Sequence, residues 1–204
     1  MINKNDLRYI KTHDLIISTF LDALKTHGYD KTNITLICKN ARISRKTFYN
    51  HFINKENVLE EILETLEEDM IKKMPENLLS EYEDGVYLSA TRWIVEFLNE
   101  NRDIASILLE NTYEEFSKSL HNVIVKHIEE MVSKDFGTTY SIKVDLYNAF
   151  VFNGILGFIS ALFENFDEIP VEETVQDLDF LTENASHLIY KELTDREMNS
   201  TDTM

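Results

Sequence analysis

The chain has 204 residues, 43% of them hydrophobic and 28% charged, with five Gly and two Pro, and it reads as globular and mostly helical, either one large or two small domains. Its formal net charge of −17, taken whole, argues against a polyanionic partner. The lone Cys38 excludes an intrachain disulfide, which fits a reducing cytoplasm, and on an apolar helix face it is expected to be a packing residue.

The distribution of charge changes that first conclusion. Residues 1–60 hold ten Lys or Arg against six Asp or Glu, a balance of +4, while residues 61–204 hold ten against thirty-one, a balance of −21. Screening over a Debye length of about 8 Å lets the basic end act locally.

In chain order, residues 1–5 form a short polar arm with no cationic start leading into an apolar run and no cleavage site, so no signal peptide is expected. From Leu7 to His27 the pattern predicts a helix with Ile16, Ile17, Phe20, Ala23 and Leu24 on one side, closed by Gly28 as a C-cap. Thr32 or Asn33 then offers an oxygen to the free amides of a short helix carrying Ile34, Ile37, Cys38 and Ala41. Arg42 and Ile43 interrupt it, Ser44 is a good N-cap, and Arg45, Lys46, Thr47, Phe48, Tyr49 and Asn50 form a second, very short helix. Phe48 and Phe52 face a core, and the outward side is cationic and hydroxylated.

A helix of under two turns does not hold itself together in water, so neighbours must hold it while one face stays free. Arg and Lys reach phosphate oxygens or guanine edges, and Thr, Tyr and Asn donate to either, which suits a helix laid in a major groove. A basic helix is often only the solvated face of a bundle. Here cap, apolar face, turn, second cap and basic face coincide in order, which favours the groove.

Gly28-Tyr29, Thr32, Ile37-Cys38, Ala41, Ile43-Ser44, Thr47-Phe48-Tyr49, His51-Phe52 and Lys55 resemble the N-terminal DNA-binding signature of the TetR family of bacterial transcriptional regulators, over roughly Lys11 to Leu59. The chain departs from it at Arg42, where the family usually has Gly in the turn, and at Cys38, where it usually has Ala. The residue chemistry and the resemblance together give an expected DNA-binding set of Thr32, Arg42, Ser44, Arg45, Lys46, Thr47, Tyr49, Asn50, His51 and Lys55, and the resemblance implies that Lys55 anchors a phosphate. A non-Gly residue in a left-handed turn costs about 1 kcal/mol, so Arg42 loosens the turn or adds a phosphate contact.

Beyond the head, Asn54 caps a long helix that carries Leu59, Ile62, Leu63, Leu66 and Met70 on one face and reads to Lys73, with Glu56 in its first turn. Pro75 breaks it, and a short helix or loop is expected from Pro75 to Gly85; no alternating run argues for a sheet. Leu88–Asn99, Arg102–Leu109 and Tyr113–Ser133 are each amphipathic at helical spacing. Such stripes are first of all core, but the resemblance implies an effector pocket among these helices, with Trp93, Phe97, Tyr113, Phe116 and Phe150 as its aromatic wall.

Leu146 to Phe163 runs eighteen residues without a charge, long enough for a membrane span. Asn148, Asn153 and Ser160 interrupt its apolarity, Glu164 closes it where a cationic cluster would be expected, and no second span exists, so a helix buried between a core and a partner subunit is the better reading. Val171–Leu193 is its natural companion. The resemblance implies that the last two long helices pair across a homodimer, which places Phe152, Gly154, Gly157, Leu178, Leu181 and Ala185 at that interface. Thr194–Met204 is expected to be a disordered polar tail.

The six His do not converge at metal-ligand spacing; His121 and His127 lie about 240° apart around one helix. No HExxH, GxSxG or phosphate-cradling Gly loop is present, so neither an enzyme nor a cofactor or metal is expected.

The expectation is an all-α protein. A helix-turn-helix domain over residues 1–55 is followed by a helical effector-binding and dimerisation domain over 56–193. Its expected function is that of a cytoplasmic, ligand-responsive repressor that binds a palindromic double-stranded DNA operator as a homodimer. The alternative is a helical ligand-binding or protein-interaction module of the same fold in which DNA reading has drifted, with Arg42 as its sign.

Overall fold

The computed structural model describes residues 6–74, 79–82, 85–88, 90–136, 142–164, and beyond them residues 173, 175–178 and 180–182. The expected polar arm, Pro75, Ala185, the tail and most of the helix expected at Val171–Leu193 lie outside the described residues; of that last stretch, the described residues 173, 175–178 and 180–182 are helical. Among the described residues the elements are α1 (Leu7–His27), α2 (Ile34–Ala41), α3 (Arg45–Tyr49), α4 (Lys55–Lys73), β1 (Leu79–Tyr82), β2 (Gly85–Leu88), α5 (Ala90–Glu100), α6 (Arg102–Asn111), α7 (Tyr113–Phe136) and α8 (Ile142–Glu164). The architecture is all-α with one small hairpin.

Local chemistry sets the helix ends. Asp6 caps α1 by accepting from the Arg8 N–H at 2.8 Å, and Gly28 ends it at φ +78°, its N–H bonded to the Leu24 carbonyl at 2.9 Å. Of the two candidate caps for α2, Asn33 performs the role, accepting from the Leu36 N–H at 3.0 Å. Asn54 accepts from the Asn57 N–H at 2.8 Å and so opens α4.

The hairpin was not expected. β1 and β2 pair antiparallel from Leu79↔Leu88 to Tyr82↔Gly85, inside the stretch read as a helix or loop. Strands of four residues are too short for a period of two to stand out.

The fold divides into two compact units, Met1–Asp69 with Asp103–Ser119, and Met70–Arg102 with Leu120–Met204. In the first, α2 packs on α1 and α3 on α2, around Ile16, Phe20, Leu24, Ile37, Phe48 and Val58, all buried. Deep burial of Phe48 and Phe52 is what holds the five-residue α3, since full burial of such a side chain is worth roughly 1.5–3 kcal/mol. The same unit buries Ala105, Leu108 and Leu109 of α6 and Phe116 of α7, and Ser119 Oγ donates to the Glu67 carboxylate.

In the second unit Trp93, Ile94, Phe97 and Leu98 of α5, Leu120 and Ile124 of α7, and Phe152, Leu156 and Ile159 of α8 are buried. Trp93 Nε1 donates to the Lys73 carbonyl at 3.2 Å and so satisfies a C-terminal group of α4. No helix among the described residues is long and apolar enough to cross a membrane. The charge-free run is amphipathic in effect: it turns Phe152, Ile155, Ile159 and Leu162 inward and Leu146, Phe150, Gly154 and Gly157 outward.

Candidate nucleic-acid interface

The sequence from Ser44 to Lys55 fixes a small cationic face by a chain of short-range bonds. Ser44 Oγ accepts from the Thr47 N–H at 3.0 Å, and the two hydroxyls lie 2.9 Å apart, so Ser44 caps the first turn of α3. At its other end Asn50 N–H bonds to the Lys46 and Thr47 carbonyls, and His51 and Phe52 N–H groups both bond to the Phe48 carbonyl at 2.9 and 3.0 Å. With Phe48 and Phe52 buried on one side, Arg42, Ser44, Arg45, Lys46, Tyr49 and Asn50 are left exposed on the other and Thr47 half-buried.

Arg45 and Tyr49 stand one turn apart, and Arg45 Nη2 donates to the Tyr49 hydroxyl at 3.3 Å. This bond raises the Arg45 pKa further above its ordinary value. The turn ahead of α3 closes on Arg42 itself, at φ 54° and ψ 39°, the left-handed conformation that usually falls to Gly. Its N–H bonds to the Lys39 carbonyl at 3.3 Å and the Ile43 N–H to the Cys38 carbonyl at 3.0 Å, so the turn is fully formed despite the side chain. Cys38 is buried, and burial pushes its thiol pKa up, outweighing the nearby Arg45, in keeping with a packing role.

Three expected contact residues are placed otherwise than on this free face. Thr32 is fully buried and its hydroxyl donates to the Gly28 carbonyl at 2.8 Å, so it fastens the corner between α1 and α2 from inside and lies off the contact face. His51 stacks on Tyr9 of α1 at 4.1 Å between centroids, with Nδ1 buried and unpaired among the described residues. Beside it His13 stacks on Phe52 at 4.6 Å and pairs through Nε2 with Glu61 of α4. The His51 pKa is lowered, first by burial and then by His13, with Glu61 opposing. Lys55 is half-buried: its Nζ donates to the Tyr29 carbonyl at 2.9 Å and sits 3.8 Å from the centroid of the Tyr29 ring.

Arg45 and Lys55 both border an open cleft of about 600 Å³ whose other walls are Asn33, Ile34, Thr35, Asn54 and Glu56. The N-termini of α2 and α4 open onto it, so their partial positive charge adds to the two cations. Asn33, Thr35 and Asn54 were not singled out from sequence as lining this face. The signal was there, because each lies within one residue of a predicted helix start.

The residues of the expected effector wall belong to both units. Trp93 and Phe97 adjoin, 6.2 Å between centroids, in the second unit. Phe116 is buried in the first unit, and Tyr113 borders an open cleft of about 510 Å³ with Gly28, Tyr29 and Asn111. Phe150 is 76% exposed on the outer stripe of α8. Among the expected dimer residues, Gly154, Gly157 and Leu181 are exposed, whereas Phe152 and Leu178 are buried within their own chain, Phe152 against the edge of His121 at 4.8 Å.

Residues 16–62, which hold α2, α3 and the start of α4, match the family model described as bacterial regulatory proteins, tetR family. The chain is 25% identical over 157 residues to the uncharacterized HTH-type transcriptional regulator YhgD of Bacillus subtilis (strain 168), a match that covers 68% of this chain and 82% of that protein. It is 35% identical over 60 residues to the HTH-type dhaKLM operon transcriptional activator DhaS of Lactococcus lactis subsp. lactis (strain IL1403), covering 29% of this chain and 32% of that one. Its fold matches the crystal structure of a TetR transcriptional regulator from Streptococcus agalactiae 2603V with a TM-score of 0.64 at 19% identity, over 85% of this chain and 94% of that one. Residues 16–62 are therefore similar to the bacterial regulatory proteins of the tetR family, and the chain as a whole shares its fold with a solved TetR transcriptional regulator.

Proposed function

We propose that the protein is a ligand-responsive repressor, working in the cytoplasm, that binds a palindromic operator as a homodimer and is released from it by a small-molecule effector. The observation that carries the DNA-binding part is the free face of α3, with Arg45, Lys46, Tyr49 and Asn50 exposed on a helix otherwise locked by caps and by buried Phe48. Residues 1–55 serve as the reading head. The cleft between the starts of α2 and α4 receives a backbone phosphate, with Lys55 and Arg45 as its cations. Residues 56–193 carry the effector and dimer functions. The exposed stripe of Leu146, Phe150, Gly154 and Gly157 on α8 supports the dimer, since apolar side chains and glycines at helical spacing suit close approach of a second copy.

Two heads related by a twofold axis would meet successive major grooves roughly 34–36 Å apart. An effector that binds the DNA-incompetent state more tightly by a few kcal/mol would shift the population and free the operator. The completed left-handed turn at Arg42 favours this reading over a drifted interaction module, because the helix-turn-helix closes with its backbone bonds made. The test is selection from a random duplex pool by mobility shift, followed by sequencing. Enrichment of an inverted repeat supports the reading, and recovery of no sequence above the starting pool refutes it.

A further inference from the structure

We propose that Tyr29, in the corner between α1 and α2, is the positioning residue that aims the Lys55 ammonium at the DNA phosphate. The inference rests on the reading of Lys55 as a phosphate contact and adds a residue with its own role. Three parts of one side chain and its backbone converge on the start of α4. The Tyr29 carbonyl accepts from Lys55 Nζ at 2.9 Å, the ring face lies 3.8 Å from that nitrogen, and the hydroxyl points at Glu56 Oε1 at 3.5 Å. The carbonyl also accepts from the Thr32 N–H at 3.2 Å, and buried Thr32 ties the same corner to Gly28, so the acceptor is itself fixed.

An ammonium has three N–H donors; the Tyr29 carbonyl takes one and the ring face engages a second, which leaves the third for a phosphate in the cleft that Lys55 borders. Neither a carbonyl nor a neutral ring cancels the charge, so the lysine is held in place and stays a full cation. The phenol is neutral at neutral pH, and burial, with Glu56, Glu115 and Asp30 nearby, moves its pKa further up. Lys is otherwise a flexible stem whose freedom must be lost on contact, and a lysine already ordered loses less of it when DNA arrives.

The experiment measures binding of the full chain to a random-sequence duplex across a salt series, with Tyr29→Leu, Lys55→Gln and the double variant. Lys55→Gln is expected to weaken binding and to lower the salt slope by about one. Tyr29→Leu is expected to weaken binding about two- to fivefold, the range of an exposed cation–π contact, and to add nothing once Lys55→Gln is present. An equal penalty from Tyr29→Leu in both backgrounds would overturn the inference, since a purely structural corner residue acts whether or not the lysine is there. Full affinity for Lys55→Gln would overturn the phosphate reading first and this inference with it. If Tyr29→Leu does not fold, Tyr29→Phe and Tyr29→pentafluorophenylalanine carry the same test with little change of shape. Weaker binding by the fluorinated ring supports the proposal, and equal binding refutes it.

Discussion

The imidazole of His51 lies against the ring of Tyr9, 4.1 Å between centroids and 26° from parallel, and this stack joins the exit of α3 to the first turns of α1. His13, 5.5 Å from His51, and Glu61, which pairs with His13, complete the group of titratable side chains there. Because the folded pKa of His51 is lowered below its ordinary 6.5, the unfolded chain binds more protons between those two values. The stability contributed by neutral His51 is therefore complete above pH 6.5 and is lost as pH falls from there toward the folded value. The urea midpoint should fall over that window, and His51→Phe, which keeps a ring on Tyr9, should flatten the fall. An identical pH profile in the variant would remove His51 as the cause.

Arg42 holds a left-handed conformation that a side chain enters at a penalty of about 1 kcal/mol. Arg42→Gly should raise the unfolding free energy by up to that amount, reduced by the greater freedom of Gly in the unfolded chain, while Arg42→Ala should give no such gain, as read from urea unfolding. The same glycine variant reports on DNA. A salt slope lower by about one would show that the exposed guanidinium touches a phosphate, and an unchanged slope would show that it does not.

On the free face, Tyr49 is 49% exposed and accepts from Arg45, so the pair can turn together toward a groove. Tyr49→Ala and Lys55→Ala should each weaken DNA binding, by about 1–3 kcal/mol if Tyr49 reaches a base edge, and leave the proposed dimer intact. Undiminished binding by both variants in a mobility shift would refute the contact face.

Gly157 offers a clean test of the proposed dimer, because a Cβ there would meet nothing within 4 Å among the described residues. Gly157→Arg should fold with an unchanged helical signal and sediment as a monomer. A dimer undisturbed by that substitution would place the interface elsewhere. Phe152→Ala should behave differently, losing roughly 3–5 kcal/mol of stability, since Phe152 is core.

The head was legible because its signals are local and independent. Asn33, Ser44 and Asn54 act as caps within three residues of their targets, Gly28 stops α1, and the buried set of α1 repeats at helical spacing. Thr32 misled because a hydroxyl at a helix start looks the same whether it faces out or back, and only the fold turns it onto Gly28. In α8 the difficulty is different. When nearly every residue of Leu146–Phe163 is apolar, periodicity carries no phase, so Phe150 was read as pocket wall and Phe152 as interface, whereas the helix exposes the first and buries the second. Phe116 and Trp93 are core residues of different units, and residue type alone does not say which unit a side chain fills.

The most direct measurement is a hydroxyl-radical footprint of the duplex recovered by selection, with the wild-type chain and with Arg45→Ala/Lys46→Ala. Two protected patches on one side of the duplex, roughly 34–36 Å apart and both lost in the variant, are the predicted result. One patch alone, or two that survive the loss of both cations, would contradict a paired reading head.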